Sequence, residues 1–304
     1  MKKVILGLIG VLFTTSEVFA FISKEKAGTT SGQFLKLGAG ARAVAMGEAF
    51  TGISDDATTI YWNPSGINSM TNKELSVMYA MWFEGISYNN LFYVHPMEIG
   101  NFGLGVQYLS YGSLEGLDAN GNPTGTFSPI DLAVVVSYAR SVKGIDTGIT
   151  VKYISSKIKE TASAIAIDIG AMKRIIEDKL NIGLVVKNVG TKLKYITEEE
   201  SLQMSINIGA GYKITKDLLT AIDIKLPSDN EIAVSVGGEY NYKIIQDIII
   251  SGRLGYNTIT KDLEGLKGIT TGLGINYKNY KFDYAFVPYG DLGNTHRISL
   301  GIKF

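Results

Sequence analysis

The stretch SLQMSINIGAGY, residues 201–212, alternates apolar and polar side chains without a break. Successive side chains of a β-strand point to opposite faces of the sheet, so the pattern predicts a strand with one apolar and one polar face. The apolar set is Leu202, Met204, Ile206, Ile208, Ala210 and Tyr212, and the polar set is Ser201, Gln203, Ser205, Asn207, Gly209 and Gly211. The same period recurs at 131–138, 164–171, 231–240, 269–277 and 297–304.

Segments of this kind number about fourteen, and each is close to the ~9–11 residues that a tilted membrane-spanning strand needs. Their predicted starts are residues 73, 86, 100, 130, 145, 161, 180, 201, 217, 230, 247, 268, 279 and 294. An even number of antiparallel strands can close without an exposed edge, as lipid requires. We therefore predict an all-β fold, a transmembrane antiparallel β-barrel over residues 73–304.

A soluble all-β sandwich also alternates, so other features decide between the two. The polar face is rich in charge, as a wet lumen allows, and carries Lys152, Asp168, Asp223, Lys225, Glu239 and Arg253. Tyrosines end the apolar face at both ends of the strands, which is typical of two interfacial girdles. The chain ends on Phe304, in the apolar register of the last strand, as outer-membrane barrels typically do. These features favour the membrane barrel.

The connections between the strands give a topology. If the fourteen predicted strands are numbered in chain order, the connections from an even-numbered strand to the next one are short, as at 141–144, 213–217 and 278–279. The connections from an odd-numbered strand to the next one include the long stretches 112–129, 189–200 and 257–267. Outer-membrane barrels have short periplasmic turns and longer outer loops. This asymmetry places Phe304 on the periplasmic side.

Composition limits the available chemistry. The 304 residues include 29 basic and 29 acidic side chains, so no strong field favours nucleic acid as a partner. The absence of cysteine excludes disulfides, thiolate metal sites and cysteine nucleophiles, and there are only two histidines. We expect no cofactor and no metal site.

Residues 1–20 have the features of a secretory signal peptide. Lys2 and Lys3 precede the short apolar run 4–13, and residues 18–20 offer small side chains at the two positions that a signal peptidase reads. We expect export, and a location in the bacterial outer membrane.

The stretch GAGARA, residues 38–43, fits the G-x-G-x-x-A pattern of a dinucleotide-binding turn. Such a site also needs a preceding buried strand and an acidic residue about 20 positions on, within a βαβ unit. Residues 30–37 are a poor strand, Asp55 and Asp56 come too early, and a β-meander follows. Residues 21–72 are instead interpreted as a small N-terminal hatch, or plug, in the lumen, with a short helix over 41–50 and a turn at 63–66.

The stretch GQFLKLGAGARAVAMGEAFTGISDDATTIYWNPSGI, residues 32–67, resembles the N-terminal motif of the PorV/PorQ family, a branch of the FadL-like outer-membrane barrels. The resemblance implies fourteen strands around an N-terminal hatch. An Asn-Pro-Ala turn is typical of that hatch in the fatty-acid transporters, and Asn63 and Pro64 stand at this place, followed by Ser65.

The resemblance implies two different functions. FadL-like members move hydrophobic small molecules passively across the outer membrane, whereas PorV-like members are subunits of type IX protein secretion and surface attachment. The compact loops favour the transporter. The partners implied are outer-membrane lipid, the barrel-assembly machinery acting on Phe304, and either hydrophobic ligands or secretion-system subunits.

The hatch interpretation supplies candidate site residues. Charged residues there would face the lumen, where Arg42 would pair with Asp55, Asp56 or wall charges such as Lys152, Asp168 or Arg253 and latch the hatch. The alternative is a set of solvated charges in a wet channel. The candidates for gating are Arg42, Asp55, Asp56, Asn63 and Pro64, and those for an apolar route are Phe34, Tyr61 and Trp62.

Two further patterns predict no site. The loop from Asp118 begins like a calcium loop, but Pro123 and Pro129 stand where Gly and Glu are needed. His296 lies on the apolar face of the last strand, and no G-x-S-x-G motif accompanies it. We expect no metal there, and no enzyme.

Overall fold

The computed structural model describes residues 27–177, 179–259 and 268–304. The predicted signal peptide, residues 1–20, lies outside this part of the chain. Within the described ranges, no helix is both long enough and apolar enough to cross a membrane.

Strands make up most of the described chain. They are β1 (Glu74–Met81), β2 (Ser87–His95), β3 (Asn101–Ser110), β4 (Leu114–Leu117), β5 (Pro123–Phe127), β6 (Ile130–Val142), β7 (Ile145–Lys157), β8 (Thr161–Ile176), β9 (Leu180–Gly190), β10 (Leu193–Tyr195), β11 (Glu198–Glu200), β12 (Ser205–Lys213), β13 (Leu218–Pro227), β14 (Ala233–Ile245), β15 (Ile248–Asn257), β16 (Ile269–Tyr277), β17 (Tyr280–Pro288) and β18 (Asn294–Lys303).

Fourteen of these described strands form one closed barrel, in the order β1-β18-β17-β16-β15-β14-β13-β12-β9-β8-β7-β6-β3-β2. The barrel closes between its first and last strands, where Val77 of β1 pairs with Leu300 of β18. The remaining strands form two hairpins, β4–β5 and β10–β11, inside two of the long connections. The predicted antiparallel barrel is confirmed.

Burial along the strands is the inverse of that in a soluble protein. In β12, Asn207 is 4% exposed whereas Ile208 is 46% exposed. The same holds around the barrel, and exposed apolar side chains include Leu104, Val136, Ile169, Ile222, Leu254, Leu273 and Leu300. Soluble monomers rarely expose apolar patches larger than a few hundred Å². The outer surface is therefore the lipid-facing surface of a transmembrane barrel, and the soluble sandwich is wrong.

The strand expected from residue 201 begins only at Ser205. Leu202, assigned to the outer face by the alternation, is 5% exposed and lies in an apolar cluster with Leu35 and Leu193. Its backbone bridges Ser31 rather than a barrel strand. Residues 201–204 turn inward because this cluster buries Leu202, so the start at 201 is wrong by four residues.

Residues 33–70, called here the N-terminal segment, contain four short helices joined by irregular chain. They are a 3₁₀ helix (Gln33–Lys36), α1 (Ala41–Ala45), α2 (Thr59–Trp62) and a second 3₁₀ helix (Pro64–Ser69). The helix expected over 41–50 is thus shorter. It ends because Gly47 and Glu48 adopt positive φ angles of 67° and 65°, which an α-helix cannot continue. Further 3₁₀ turns lie at Phe83–Gly85 and Gly290–Leu292.

The N-terminal segment lies inside the barrel. Helix α1 contacts β15, β16, β17 and β18, whereas the 3₁₀ helix Pro64–Ser69 contacts β3, β6, β7 and β8 on the other side of the ring. Wall glycines permit this close approach: a Cβ on Gly148 would lie 2.5 Å from the Pro64 carbonyl oxygen, and one on Gly183 would overlap the Thr51 carbonyl oxygen. The segment therefore fills part of the lumen.

Candidate functional site

A cavity of about 310 Å³ lies between the N-terminal segment and the inner wall. Pro227 at the end of β13, Ala233 at the start of β14 and Asn257 at the end of β15 line it. All three lie at the barrel end that carries the long connections. From the segment, α2 contributes Tyr61 and Trp62. The cavity is thus on the long-connection side of the segment.

Tyr61 and Trp62 form an aromatic wall whose polar atoms are already bonded. Their ring centroids are 4.8 Å apart in an edge-to-face arrangement. The Tyr61 hydroxyl donates to the Leu35 carbonyl at 3.0 Å, and the Trp62 indole N–H donates to the Ala39 carbonyl at 2.8 Å. Burial raises the pKa of Tyr61 well above its ordinary value, so the hydroxyl stays protonated. The rings therefore offer apolar surface to the cavity.

A second aromatic pair lines the cavity from the barrel wall. The rings of Trp82 and Tyr289 lie 5.1 Å apart, on the connections that follow β1 and β17. The guanidinium of Arg297, 1% exposed, lies 5.7 Å from the Trp82 ring. It donates to the Gly38 carbonyl at 2.8 Å and so connects β18 to the segment.

Lysines complete the cavity wall. Lys187 Nζ of β9 lies 3.7 Å from the centroid of the Tyr61 ring, a close cation–π contact. Lys225 Nζ of β13 pairs with Glu48 of the segment at 2.9 Å and lies 5.5 Å from the Trp62 ring. The site combines aromatic surface with buried positive charge.

Arg42 of α1 is a hub for acidic groups. Its guanidinium contacts Asp55 at 2.5 Å, Asp56 at 3.1 Å and Glu239 of β14 at 2.7 Å. Burial alone would raise the pKa of Asp56, but the charges of Arg42 and Lys281 outweigh it and hold that pKa below 3.8. The Asp55 side chain is 46% exposed, so its pair is the weakest of the three.

The wall partner of Arg42 differs from the expectation. Lys152 and Asp168 pair with each other at 2.7 Å rather than with Arg42. Arg253 binds the same Glu239 carboxylate at 2.6 Å and adds Asp283 at 2.7 Å. Of the partners that the sequence offered, Arg42 thus pairs with Asp55 and Asp56 and not with Lys152, Asp168 or Arg253. A carboxylate on β14 lies between two arginines instead, because that arrangement compensates both buried cations.

Asn63 and Pro64 lie on the opposite side of the lumen. The Asn63 side-chain amide donates to the Thr51 carbonyl at 3.0 Å, and its oxygen accepts from the Ser65 backbone N–H at 3.2 Å. Pro64 begins the second 3₁₀ helix and packs against Gly148. This turn fixes the segment to β7 by close packing.

The remaining candidates do not reach the cavity. Phe34 is 2% exposed and packs in the cluster with Met78 and Tyr88. Phe304 is 65% exposed, and its backbone N–H donates to the Lys73 carbonyl at 2.9 Å, beside the start of β1.

Trp82, Lys187, Tyr289 and Arg297 were not among the sequence candidates. Arg297 stands on the polar face of an alternating strand, which is a signal that it faces the lumen. That face runs the length of every strand, however, so alternation alone does not say which inward side chains meet at one cavity.

The other motifs form no site in the described chain. No group of three or more His, Asp or Glu side chains among the described residues could hold a metal ion. The Asp118 carboxylate accepts from the backbone N–H groups of Asn120 and Asn122 at 2.8 and 2.9 Å, which makes a local turn. His296 Nδ1 lies 2.7 Å from the Tyr284 hydroxyl.

Comparisons with known proteins cover most of the chain. A family model described as type IX secretion system protein PorV matches residues 21–237. A comparison with curated proteins finds no match. The structure is similar to the Ralstonia pickettii toluene transporter TbuX, with a TM-score of 0.63 and 13% identity, over 88% of this chain and 98% of that one.

Two further solved structures are similar to the same extent. The Pseudomonas putida toluene transporter TodX has a TM-score of 0.59 and 12% identity, over 87% of this chain and 96% of that one. The CymD monoaromatic hydrocarbon channel has a TM-score of 0.59 and 14% identity, over 88% of this chain and 98% of that one. At these identities the likeness is one of fold.

Proposed function

This chain belongs to the family of type IX secretion system protein PorV, and from that premise we propose that it is a bacterial outer-membrane channel for passive transport of hydrophobic small molecules. The cavity of about 310 Å³ carries the proposal, because Tyr61 and Trp62 give it aromatic surface inside a closed barrel. Pockets that bind small ligands are concave and mostly apolar, with a few polar groups. The shared fold with toluene transporters supports this assignment.

The N-terminal segment acts as the hatch of this channel, within a hatch region of residues 21–72. A ligand enters from the long-connection end, occupies the cavity, and leaves past the segment. The ion pairs of Arg42 with Asp56 and Glu239 latch the segment to β14. The turn at Asn63 and Pro64 anchors its other side. Passage of a ligand then requires the part of the segment around Arg42 to move away from β14, while the turn at Asn63 and Pro64 stays in place.

Export and assembly complete the proposal. Residues 1–20 direct export as a signal peptide, and the barrel-assembly machinery recognises the last strand with its terminal Phe304. Lipid then covers the outer surface. The chain has no catalytic role in this account, and the similar proteins bear the names of a secretion component, transporters and a channel, not of enzymes.

A second function is that of a type IX secretion subunit, with other secretion subunits as partners. The family match over residues 21–237 favours it, as does the presence of the hairpins β4–β5 and β10–β11 at one barrel end. Stoichiometric co-purification with large secreted proteins, together with unchanged hydrocarbon uptake on deletion of the gene, would establish this function in place of transport.

Uptake of labelled toluene by intact Gram-negative cells tests the transport proposal. Cells that express the protein should take up toluene faster than cells without it. Ala233→Phe fills the cavity and should abolish the gain, whereas Ile169→Phe, on the lipid-facing surface, should leave it intact. Equal uptake with and without the protein would contradict the proposal.

A further inference from the structure

Cations outnumber carboxylates around the cavity. The lining contains Lys36, Lys187, Lys225 and Arg297, against Glu48 and Glu231. Lys36 pairs with Asp229 at 2.6 Å, and Lys225 pairs with Glu48 at 2.9 Å. Lys187 and Arg297 therefore remain as the cations whose charge the cavity itself must accommodate.

Neither of these two cations has a carboxylate partner in the described part of the chain. Lys187 is 4% exposed, and its ammonium contacts the Tyr61 ring rather than an acid. Arg297 is 1% exposed; two of its nitrogens bond the Gly38 carbonyl and the Tyr289 hydroxyl, and its Nε has no partner there. Buried charges of this kind are costly unless they are paired.

A further donor at the cavity is also unpaired. The Trp82 indole N–H has no acceptor among the described residues, although the ring lies beside Arg297 and lines the same cavity. A buried donor without an acceptor costs about 1–3 kcal/mol. Three donor groups at one aromatic-lined cavity, on Trp82, Lys187 and Arg297, thus lack an anionic acceptor among the described residues.

We propose that the cavity binds a small aromatic carboxylate, whose anionic group pairs with Lys187 in a cavity that also carries the charge of Arg297, and whose ring packs among the cavity's aromatic side chains. The inference rests on the proposed function, since it takes the cavity to be the ligand site. A volume of about 310 Å³ lies at the low end of ligand pockets, about 300–1,000 Å³. A ligand of one or two rings fits within this volume.

Tryptophan fluorescence measures this binding directly. The sequence contains two tryptophans, Trp62 and Trp82, and both line the cavity. Benzoate titrated into the detergent-solubilised protein should change their emission saturably. Its neutral isostere benzamide should bind at least about tenfold more weakly, because it lacks the charge-assisted bonds. Equal affinity for the two, or tighter binding of palmitate than of benzoate, would overturn the inference.

Variants of Lys187 and Arg297 test whether these side chains bind the carboxylate through their charge. Lys187→Met keeps the apolar stem and removes the ammonium, so benzoate affinity should fall about tenfold while benzamide affinity stays constant. Arg297→Gln should act in the same direction. Lys213→Gln, an exposed lysine at the far end of β12, is the matched control and should bind as wild type. An unchanged benzoate affinity in Lys187→Met, with the unliganded emission spectrum of wild type, would contradict the proposal.

Uptake separates this inference from the function on which it rests. If toluene enters through the protein but benzoate does not bind, the inference is wrong and the transport proposal stands. If benzoate binds with the predicted preference but neither compound enters cells through the protein, the inference stands and the transport proposal fails.

Discussion

The Arg42 guanidinium holds Glu239 of the barrel wall in a two-point contact, from Nε to Oε2 at 2.7 Å and from Nη2 to Oε1 at 3.0 Å. Such fork-to-fork pairs are stronger and more directional than single-point ones. The same guanidinium contacts Asp56 within the segment. Arg42 thus connects the segment internally and to β14.

Arg42→Gln should loosen the latch. The change removes the Arg42 charge from Asp56 and Glu239, both nearly buried. Glu239 keeps Arg253 at 2.6 Å, so the cost is below the ~3–5 kcal/mol of a buried charge that loses its whole compensation. We expect higher single-channel conductance in planar bilayers, with faster proteolysis of the segment. Asp55→Asn is the matched control: that carboxylate is 46% exposed, and its pair is worth about 0–1 kcal/mol. Equal conductance in Arg42→Gln and wild type would show that Arg42 does not latch the segment.

Acid should weaken a second attachment of the N-terminal residues. Asp229, between β13 and β14, accepts from Lys36 at 2.6 Å and from Thr30 at 2.5 Å. Burial opposes ionisation, but these bonds outweigh it and lower the pKa of Asp229 below 3.8. The folded pKa is below the unfolded one, so this stabilisation is present above about pH 4 and is lost as the pH falls through the lowered pKa.

The measurement for Asp229 is thermal unfolding in detergent across that range. At pH 7 the Tm of Asp229→Asn should lie below that of wild type, and the gap should narrow below about pH 4. Because the other carboxylates titrate in both proteins, their effect on Tm cancels when the two are compared at each pH. A gap that stays constant down to about pH 2 would contradict the assignment.

Glycines of the barrel wall that contact the segment should be required for stability and for the position of the segment. Gly148→Ala places a methyl group against Pro64, and overpacking of this kind costs about 1–3 kcal/mol. We expect a lower Tm and a displaced segment. Gly252→Ala is the control. Gly252 is on the lipid-facing side of β15, and a Cβ there would have no other atom within 4 Å, so the free energy of unfolding should stay within about 0.5 kcal/mol of wild type. Equal Tm values for the two variants would show that the close packing is not rigid.

Deletion of Phe304 should affect assembly rather than fold. Its side chain is 65% exposed and therefore contributes little to packing within the protein. We expect less folded protein in the outer membrane, measured by heat modifiability on gels, while refolding in detergent proceeds as for wild type. Normal membrane levels of the truncated protein would contradict a role in recognition by the assembly machinery.

The barrel was predictable from the sequence because lipid outside and lumen inside impose strict alternation on each strand. Twelve strands, including β6 at 130, β7 at 145 and β8 at 161, start within one residue of the expected position. β14 starts three residues late, at 233, and the larger departure, at 201–204, arises where the chain leaves the wall. There Leu202 turns inward to an apolar cluster, and alternation carries no information about which layer receives the side chain.

The cavity was only partly predictable. The motif of residues 32–67 contains Phe34, Tyr61 and Trp62 as similar candidates, yet only the latter two reach the cavity. The difference depends on the path of the segment through the lumen, which close contacts with wall glycines determine. Lys187 and Arg297 come from strands far apart in sequence, and the register around the whole ring brings them to one cavity.

A reversible crosslink between segment and wall tests passive transport past the segment most directly. The sequence has no cysteine, so Ala41→Cys with Ser299→Cys introduces a single pair, at positions already joined by a 2.8 Å hydrogen bond. The matched control is Ser137→Cys with Thr150→Cys, a wall-to-wall pair whose hydroxyls lie 2.7 Å apart. We predict that oxidation stops toluene uptake by intact cells only in the first pair, and that a thiol reductant restores it. Uptake that continues at the wild-type rate with the first pair fully oxidised would contradict the account.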